Sequence, residues 1–256
     1  MNNGLTVVIL TKNEERHIVD VVVNSWKVAD VVLVVDSGST DRTVELAEAN
    51  GAKVVYRAWD NDFSAQRNFA LEHVDTEWVL YLDADERMNE LLVGAIKREL
   101  QNPRNAMYRF IRMNNAFGRN FKYGVLGPDS VLRMFEKNKA KWEGKVHESL
   151  TSDLPVVTLN GFLEHYTYND FEHYLTKMNL YASIGAYKYL ESGKNVNVLK
   201  DLIMRPLVSF MKMYLLKKGF LEGWMGFVLS VEYANYTLNK YVILKMLTES
   251  RYKKRG

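Results

Sequence analysis

Apolar runs alternate with acidic or glycine-containing breaks along the first third of the chain. Residues 5–10 are apolar and β-branched and predict a first strand. They end at Thr11-Lys12-Asn13-Glu14-Glu15, where polar residues and a first-turn acid pair predict a helix to about residue 28. Residues 31–35 predict a second strand, closed by the turn-forming Asp36-Ser37-Gly38-Ser39-Thr40-Asp41. A helix to about residue 50 follows, stopped by Gly51. Residues 53–57 predict a third strand, and Asp62 or Ser64 caps a helix through His73. Trp78-Val79-Leu80-Tyr81-Leu82 then runs apolar without alternation, as a strand buried on both faces does.

Strand and helix thus alternate four times in 86 residues, which implies a parallel sheet with right-handed crossovers. After a helix over about 89–101, Pro103 marks a break. Residues 106–113 and 130–135 predict strands joined by a Gly-rich connection, and 156–159 another. From residue 171 the spacing is helical over about 171–192, 198–218 and 222–249, with Pro206 kinking or restarting the second segment. The expected organisation is an α/β catalytic domain at 1–168, a mostly parallel sheet flanked by helices, and a helical C-terminal extension at 169–256.

Chemistry first appears where the buried run turns acidic, at Asp83, Asp85 and Glu86. Carboxylates at the carboxyl end of such a strand stand in the crevice where open α/β sheets bind ligands. Alternation along an extended chain points Asp83 and Asp85 to one side, an arrangement suited to a hard divalent cation that shares its other positions with phosphates. The alternative is that these acids favour the first turn of the next helix. No Gly-x-Gly-x-x-Gly follows the first strand and no P-loop lysine motif occurs, which disfavours dinucleotide dehydrogenases and P-loop enzymes.

Composition narrows the setting. With 256 residues, 47% of them hydrophobic, the chain can bury a sizeable core. Cysteine is absent, which excludes disulfides, thiolate chemistry and zinc–thiolate sites and fits a reducing compartment. The N-terminus lacks signal-peptide regions and no long uncharged apolar stretch occurs, so the expected location is cytoplasmic. The net charge of +3 hides an asymmetry: residues 198–256 hold eleven Lys and Arg against four Asp and Glu, and the rest of the chain is net acidic. Aromatics such as Phe210, Trp224 and Tyr241 lie among Lys212, Lys217, Lys218, Lys240 and Lys245. That mixture suits peripheral contact with the surface of an anionic membrane. The alternative is that the aromatics pack helices together or form a homo-oligomer interface; nucleic acid could attract the same charges, but no motif of the chain gives it a role.

Val7-Val8-Ile9-Leu10-Thr11-Lys12-Asn13-Glu14, Val34-Val35-Asp36-Ser37-Gly38-Ser39-Thr40-Asp41, Ala65-Gln66-Arg67-Asn68 and Asp83-Ala84-Asp85, in this order and spacing, resemble family 2 glycosyltransferases. Arg133-Met134-Phe135, Lys145-Val146-His147-Glu148 and the helical C-terminus are similar to the lipopolysaccharide core β-glycosyltransferase subgroup. The resemblance implies the nucleotide-sugar-binding glycosyltransferase A-type fold. It also implies inverting transfer from a nucleotide-sugar donor, a UDP-hexose, to a glycan or lipid-linked acceptor, with Mn²⁺ or Mg²⁺ as cofactor.

By the same resemblance Asp36 accepts a hydrogen bond from the imide N–H of uracil, with Thr11 and Glu14 lining that pocket. Arg67 faces the nucleotide, Asp83 contacts the ribose, and Asp85, with Asp83 beside it, binds the metal. An inverting transfer needs a base for the acceptor hydroxyl, and Glu148 is the candidate, with Asp129 and Glu143 in reserve. Arg133 and Arg119 read as offsetting phosphate charge or as ordinary ion pairs, and Trp142 as a sugar platform or a core residue. The alternatives are that Asp36 is a turn or capping residue and Arg67 an exposed helix arginine. His147 and His165 are either added metal ligands or structural histidines. The rival functions are a sugar nucleotidyltransferase, disfavoured because the loop after the first strand has no glycine, and a non-catalytic glycan- or nucleotide-binding protein.

Overall fold

The computed structural model describes residues 4–60, 62–144 and 149–253. The chain divides into two compact units, 1–113 with 129–165 and 114–128 with 166–256.

In the first unit the expected alternation is present: β1 (Leu5–Thr11), α1 (Ile18–Ser25), β2 (Val31–Asp36), α2 (Thr43–Ala49), β3 (Lys53–Tyr56), α3 (Phe63–Glu72) and β4 (Trp78–Asp83). A three-residue strand β5 (Glu86–Met88) and α4 (Glu90–Gln101) follow, then β6 (Met107–Ala116), whose last residues belong to the second unit. β7 (Arg119–Asn120) pairs with the end of β6. β8 (Asp129–Glu136), β9 (Lys141–Glu143), β10 (Ser149–Thr151) and β11 (Val156–Tyr168) complete the strands. The main sheet has the order β3-β2-β1-β4-β8-β6-β11-β5.

The first four strands are parallel, with Thr11 level with Asp36 and Leu10 level with Asp83. The added strands make the sheet mixed: β8 runs antiparallel to β4 and to β6, and β5 antiparallel to β11. Sequence periodicity predicts a short strand at 156–159, but this strand continues to Tyr168.

The unbroken apolar runs follow from burial on both faces. Val7, Ile9, Val32, Val34, Leu80 and Leu82 face a core shared with α1 and α4. Their neighbours Val8, Leu33, Val35, Val79 and Tyr81 face a second core with Ala70 of α3 and Trp142 of β9. Two-residue alternation sends successive side chains to opposite faces, so a strand covered on both sides must be apolar throughout. Gly161 permits a close approach elsewhere: its φ is +107°, and a Cβ there would stand 2.3 Å from the backbone nitrogen of Leu92 in α4. No other residue fits, and the contact fixes β11 against the helix.

The second unit contains α5 (Phe171–Glu191), a π-helical segment Val198–Met204 leading into α6 (Arg205–Met211), a further π-helical turn Lys212–Leu216, and α7 (Gly223–Lys253). Pro206 sits in the first turn of α6, directly after the π-helical segment, so the second helical segment is resumed there and not broken. Phe117, Phe121, Tyr168, Tyr174 and Leu229 form this unit's own core. Among the described residues, no helix is long and apolar enough to cross a membrane.

Candidate active site

The loops after β1 and β2 are stapled to each other. Asn13, held at a positive φ of 56°, donates its backbone N–H to Ser39 Oγ at 2.8 Å and accepts the Thr40 N–H on Oδ1 at 2.8 Å. Asparagine tolerates that left-handed backbone better than most residues. Glu14 donates its N–H to Thr43 Oγ1 at 2.8 Å, which ties the same loop to the start of α2.

Asp36 is buried at the tip of β2. Its Oδ2 accepts the backbone N–H groups of Gly38 and Ser39 at 2.8 and 2.9 Å, and its Oδ1 accepts the Ser39 hydroxyl at 2.5 Å and the Thr11 hydroxyl at 3.4 Å. A carboxylate has about four lone-pair directions, so the protein's own donors use all of them, the Thr11 bond being the longest. The turn-forming role open in the sequence is therefore occupied.

Beside these loops Leu10, Thr11, Lys12, Glu14, Ser37, Trp59, Phe63 and Gln66 line a cavity of about 290 Å³. Trp59 and Phe63 meet edge to face with centroids 4.5 Å apart, giving it an aromatic wall. Gln66 is buried and donates to Ser37 Oγ at 2.9 Å and to the Arg57 carbonyl at 3.1 Å, while its own oxygen accepts from Arg57 at 2.6 Å. Sequence reasoning missed Trp59, Phe63 and Gln66 as site residues, although Gln66 lies inside one of the motifs.

The motif Ala65-Gln66-Arg67-Asn68 on α3 sends each side chain to a different task. Asp62 caps the helix by accepting the Ala65 N–H at 2.9 Å. Asn68 clamps the Trp142 backbone, donating to its carbonyl at 2.8 Å and accepting its N–H at 3.1 Å. Arg67, buried, lies with its guanidinium carbon 4.6 Å from the Trp142 ring centre and 5.4 Å from that of Tyr81. Trp142 is a core residue, packing on Tyr81 and Phe135.

Arg67, Asp83, Arg109, Arg112, Arg133 and Trp142, with Ser130–Leu132 and Leu150, line a cavity of about 490 Å³. Asp83 closes β4 with its side chain 35% exposed, and receives hydrogen bonds from Arg133 on both oxygens and from Arg67 at 3.4 Å. Glu86, fully buried, accepts from Arg133 at 2.7 Å and from Arg112 at 3.2 Å, and its Oε2 takes the Asp83 N–H at 3.0 Å. Arg112 grips Asp129 through two bonds of 2.9 and 2.6 Å.

Burial alone would push the Asp83 carboxyl up, but Arg133 and Arg67 outweigh it and hold the group well below the usual carboxylate range. Burial works against the Arg133 charge too, and Asp83 and Glu86 more than restore it. Asp83 is thus a fixed anion, an acceptor of hydrogen bonds and a poor base.

Asp85 lies beyond β4 in a turn, so strand alternation does not set its direction. The turn is pinned by Arg87, whose guanidinium donates to the carbonyls of Ala84, Glu86 and His17 at 2.6, 2.8 and 2.7 Å. Asp85 Oδ2 is 3.4 Å from His165 Nε2 on β11, and its side chain is 26% exposed. Burial and then Arg87 lower the pKa of the nearby His17, while Asp85 opposes them.

A carboxylate oxygen and an imidazole nitrogen at that separation fit two positions of one Mn²⁺- or Mg²⁺-sized ion whose other ligands come from water and phosphate. The oxygens of Asp83, expected beside Asp85 as a ligand, point to guanidinium groups instead. Among the described residues no cluster of three or more His, Asp or Glu side chains could hold a metal by itself.

Of the remaining candidates, Glu148 and His147 lie outside the described residues. Glu143 is paired with Lys141 at 2.8 Å and Thr151 at 3.0 Å, and Arg119 with Glu222 at 2.5 Å in the second unit.

A crossover-wound α/β domain whose strand tips gather a looped aspartate, an aromatic-walled cavity and a cationic pocket has the architecture of nucleotide-sugar transferases of the A type. The comparisons make this specific: the model of glycosyl transferase family 2 matches residues 6–150, more than half the chain, and the protein belongs to that family. It is therefore a glycosyltransferase, which sets the sugar nucleotidyltransferase and non-catalytic alternatives aside. It is 28% identical over 243 residues to an uncharacterized glycosyltransferase of Rickettsia typhi, covering 90% of this chain and 82% of that one. It is 27% identical over 241 residues to the lipopolysaccharide core biosynthesis glycosyltransferase LpsC of Rhizobium meliloti, covering 91% and 88%. Among solved structures, S. aureus TarS in complex with UDP-GlcNAc aligns over 96% of this chain and 92% of its own, at 15% identity and a TM-score of 0.44.

Proposed function

We propose that this protein is an inverting transferase that moves a sugar, from a UDP-hexose, to a glycan or lipid-linked acceptor of bacterial envelope polysaccharide or lipopolysaccharide. The observation that carries the reading is the 490 Å³ pocket at the carboxyl end of β4, which four arginines line together with a fixed aspartate. Sugar transfer from a nucleotide leaves a diphosphate, and cations already in place stabilise that developing charge without reorganisation. The likeness to LpsC supports an envelope acceptor. Chemistry is assigned to residues 1–168, and acceptor-side location to the extension 169–256.

In this mechanism the aromatic-walled cavity takes the base, with Thr11 and Glu14 beside it. Asp36 reaches the imide N–H by giving up its long bond to Thr11. Asp83 accepts from the ribose hydroxyls, while Arg67 and Arg133 face the phosphates. Asp85 with His165 would hold the divalent cation, which when bound neutralises the departing diphosphate. Glu148 takes the proton of the acceptor hydroxyl as its oxygen bonds to the anomeric carbon from the side opposite the diphosphate. The old bond's electron pair leaves with the nucleoside diphosphate, inverting the centre.

The test is nucleoside diphosphate release from UDP-, GDP- and dTDP-sugars with Mn²⁺ or Mg²⁺, with and without membrane extract as acceptor source. The expected result is release from one UDP-sugar, stimulated by extract and reduced by about 10²–10³-fold in Asp85→Ala and in Glu148→Gln. Release from a GDP- or dTDP-sugar would overturn the donor assignment, and full activity in either variant its assigned role.

A further inference from the structure

We propose that residues 198–224 form a docking face that lies in the plane of an anionic membrane and inserts its apolar side chains among the lipid headgroups. The proposal rests on the lipid-linked acceptor for its purpose, but the argument comes from the second unit alone.

Leu199, Ile203, Leu207, Met211 and Leu215 are exposed at every fourth position of the helix that runs from Val198 to Leu216. Four residues overshoot a full α-helical turn, so a stripe with that spacing drifts around a pure α-helix. The wider π-helical turns on either side of α6 fall short of a full turn over four residues and oppose the drift, keeping the stripe on one side. Met204, Val208 and Leu216 widen it, Leu216 being 79% exposed. Beyond the turn Phe220, Leu221 and Trp224 continue the apolar surface, with Trp224 72% exposed. So many large apolar side chains on one exposed segment mark an interaction surface.

The opposite side of the same helix is anchored on α7. The hydroxyls of Ser209 and Thr237 meet at 3.1 Å, Phe210 meets Phe227 edge to face at 5.8 Å, and Met213 is buried. The helix therefore has a packed side, and its apolar outer stripe is additional to what folding needs.

Charge identifies the occupant. The segment contains two acids, Asp201 and Glu222, and both turn inward. Asp201 accepts from Arg205 at 2.5 Å and from the Asn197 N–H at 2.9 Å. Glu222 accepts from Arg119 at 2.5 Å and from the N–H groups of Lys122 and Tyr123 at 2.8 and 3.0 Å. With its acids withdrawn, the outer surface offers apolar side chains and the exposed Lys200, Lys212, Lys217 and Lys218. A second copy docked through the same patch would bring these lysines against one another with no exposed acid of the segment to receive them. Anionic lipid supplies both the apolar depth and the negative charge.

The test is flotation of the full chain with vesicles of equal parts phosphatidylglycerol and phosphatidylcholine, against phosphatidylcholine alone, at low and high salt. Light scattering of the same samples reports the oligomeric state. Wild type is expected to float with the anionic vesicles and to bind less at high salt. Joint replacement Leu199→Ser, Leu207→Ser and Leu215→Ser should lower the partition about a hundredfold. Lys200→Gln, Lys212→Gln and Lys217→Gln should each lower it about fivefold.

Wild type that stays with the protein fraction at low salt overturns the proposal, as does a leucine variant that floats like wild type. A wild-type dimer that the leucine variant converts to monomer, without vesicle binding, would make the face a homo-oligomer interface. Donor hydrolysis in vesicle-free solution should be unchanged in these variants. Docking can then fail with hydrolysis intact, or hydrolysis can be absent with docking intact, so the two readings are judged separately.

Discussion

The two units each bury carboxylates against arginines, and the outcomes are opposite. At the end of β4, Glu86 and Asp83 share Arg133, and Arg67, Arg112 and Arg109 add further cations around one open pocket. In the helical unit Asp201 and Glu222 each pair with a single arginine, and their charge leaves the surface. Surplus partners turn a buried acid into the organiser of a positive site; a single partner removes the acid from view. In the first case the ion pairs build a binding field, and in the second they clear an apolar face.

Removing one arginine from each region sharpens the contrast. Arg133→Met leaves Glu86 fully buried with only Arg112, and should cost about 3–5 kcal/mol in urea unfolding, the usual penalty for stranding a buried charge. Arg205→Met removes a partner that is itself 41% exposed, so Asp201 can turn toward water, and the cost should be about 1 kcal/mol or less. Equal losses in the two variants would break the comparison.

Acid titration gives the smallest effect. Glu99 is held at about 2, below its ordinary 4.5, chiefly by Arg104; burial opposes the shift, and Tyr108 adds a hydrogen bond. A depressed folded-state pKa means that the stabilisation is present above pH 4.5 and is lost as pH falls toward 2. Glu99→Gln should therefore flatten the thermal stability profile in that window and leave it unchanged in shape at neutral pH. Asp83 is depressed as well, so it stays ionised across the whole neutral range and contributes no slope there.

Much of the first unit was legible in the sequence because its signals are local. Residues 78–82 are apolar without a break because both faces of β4 are covered, and Asp62 caps α3 from the adjacent position. The strands β5, β7, β9 and β10, two or three residues each, are too short to carry a periodicity and went unread. The antiparallel half of the sheet was also hidden, since strand direction depends on where long connections return.

What the sequence determined by itself is the wound β1–β4 framework, its family motifs, and the acidic strand end that locates the chemistry. Those features depend on alternation, capping and composition within a few residues. Tertiary structure alone decided that Asp83 answers to Arg133, fifty residues away, and that Asp36 spends its lone pairs on its own loop. It also decided that Asp201 and Glu222 face inward while Leu207, Leu215 and Leu216 between them face out. A residue's type states which contacts it can make; which of them it makes depends on the neighbours that folding brings within about 3 Å.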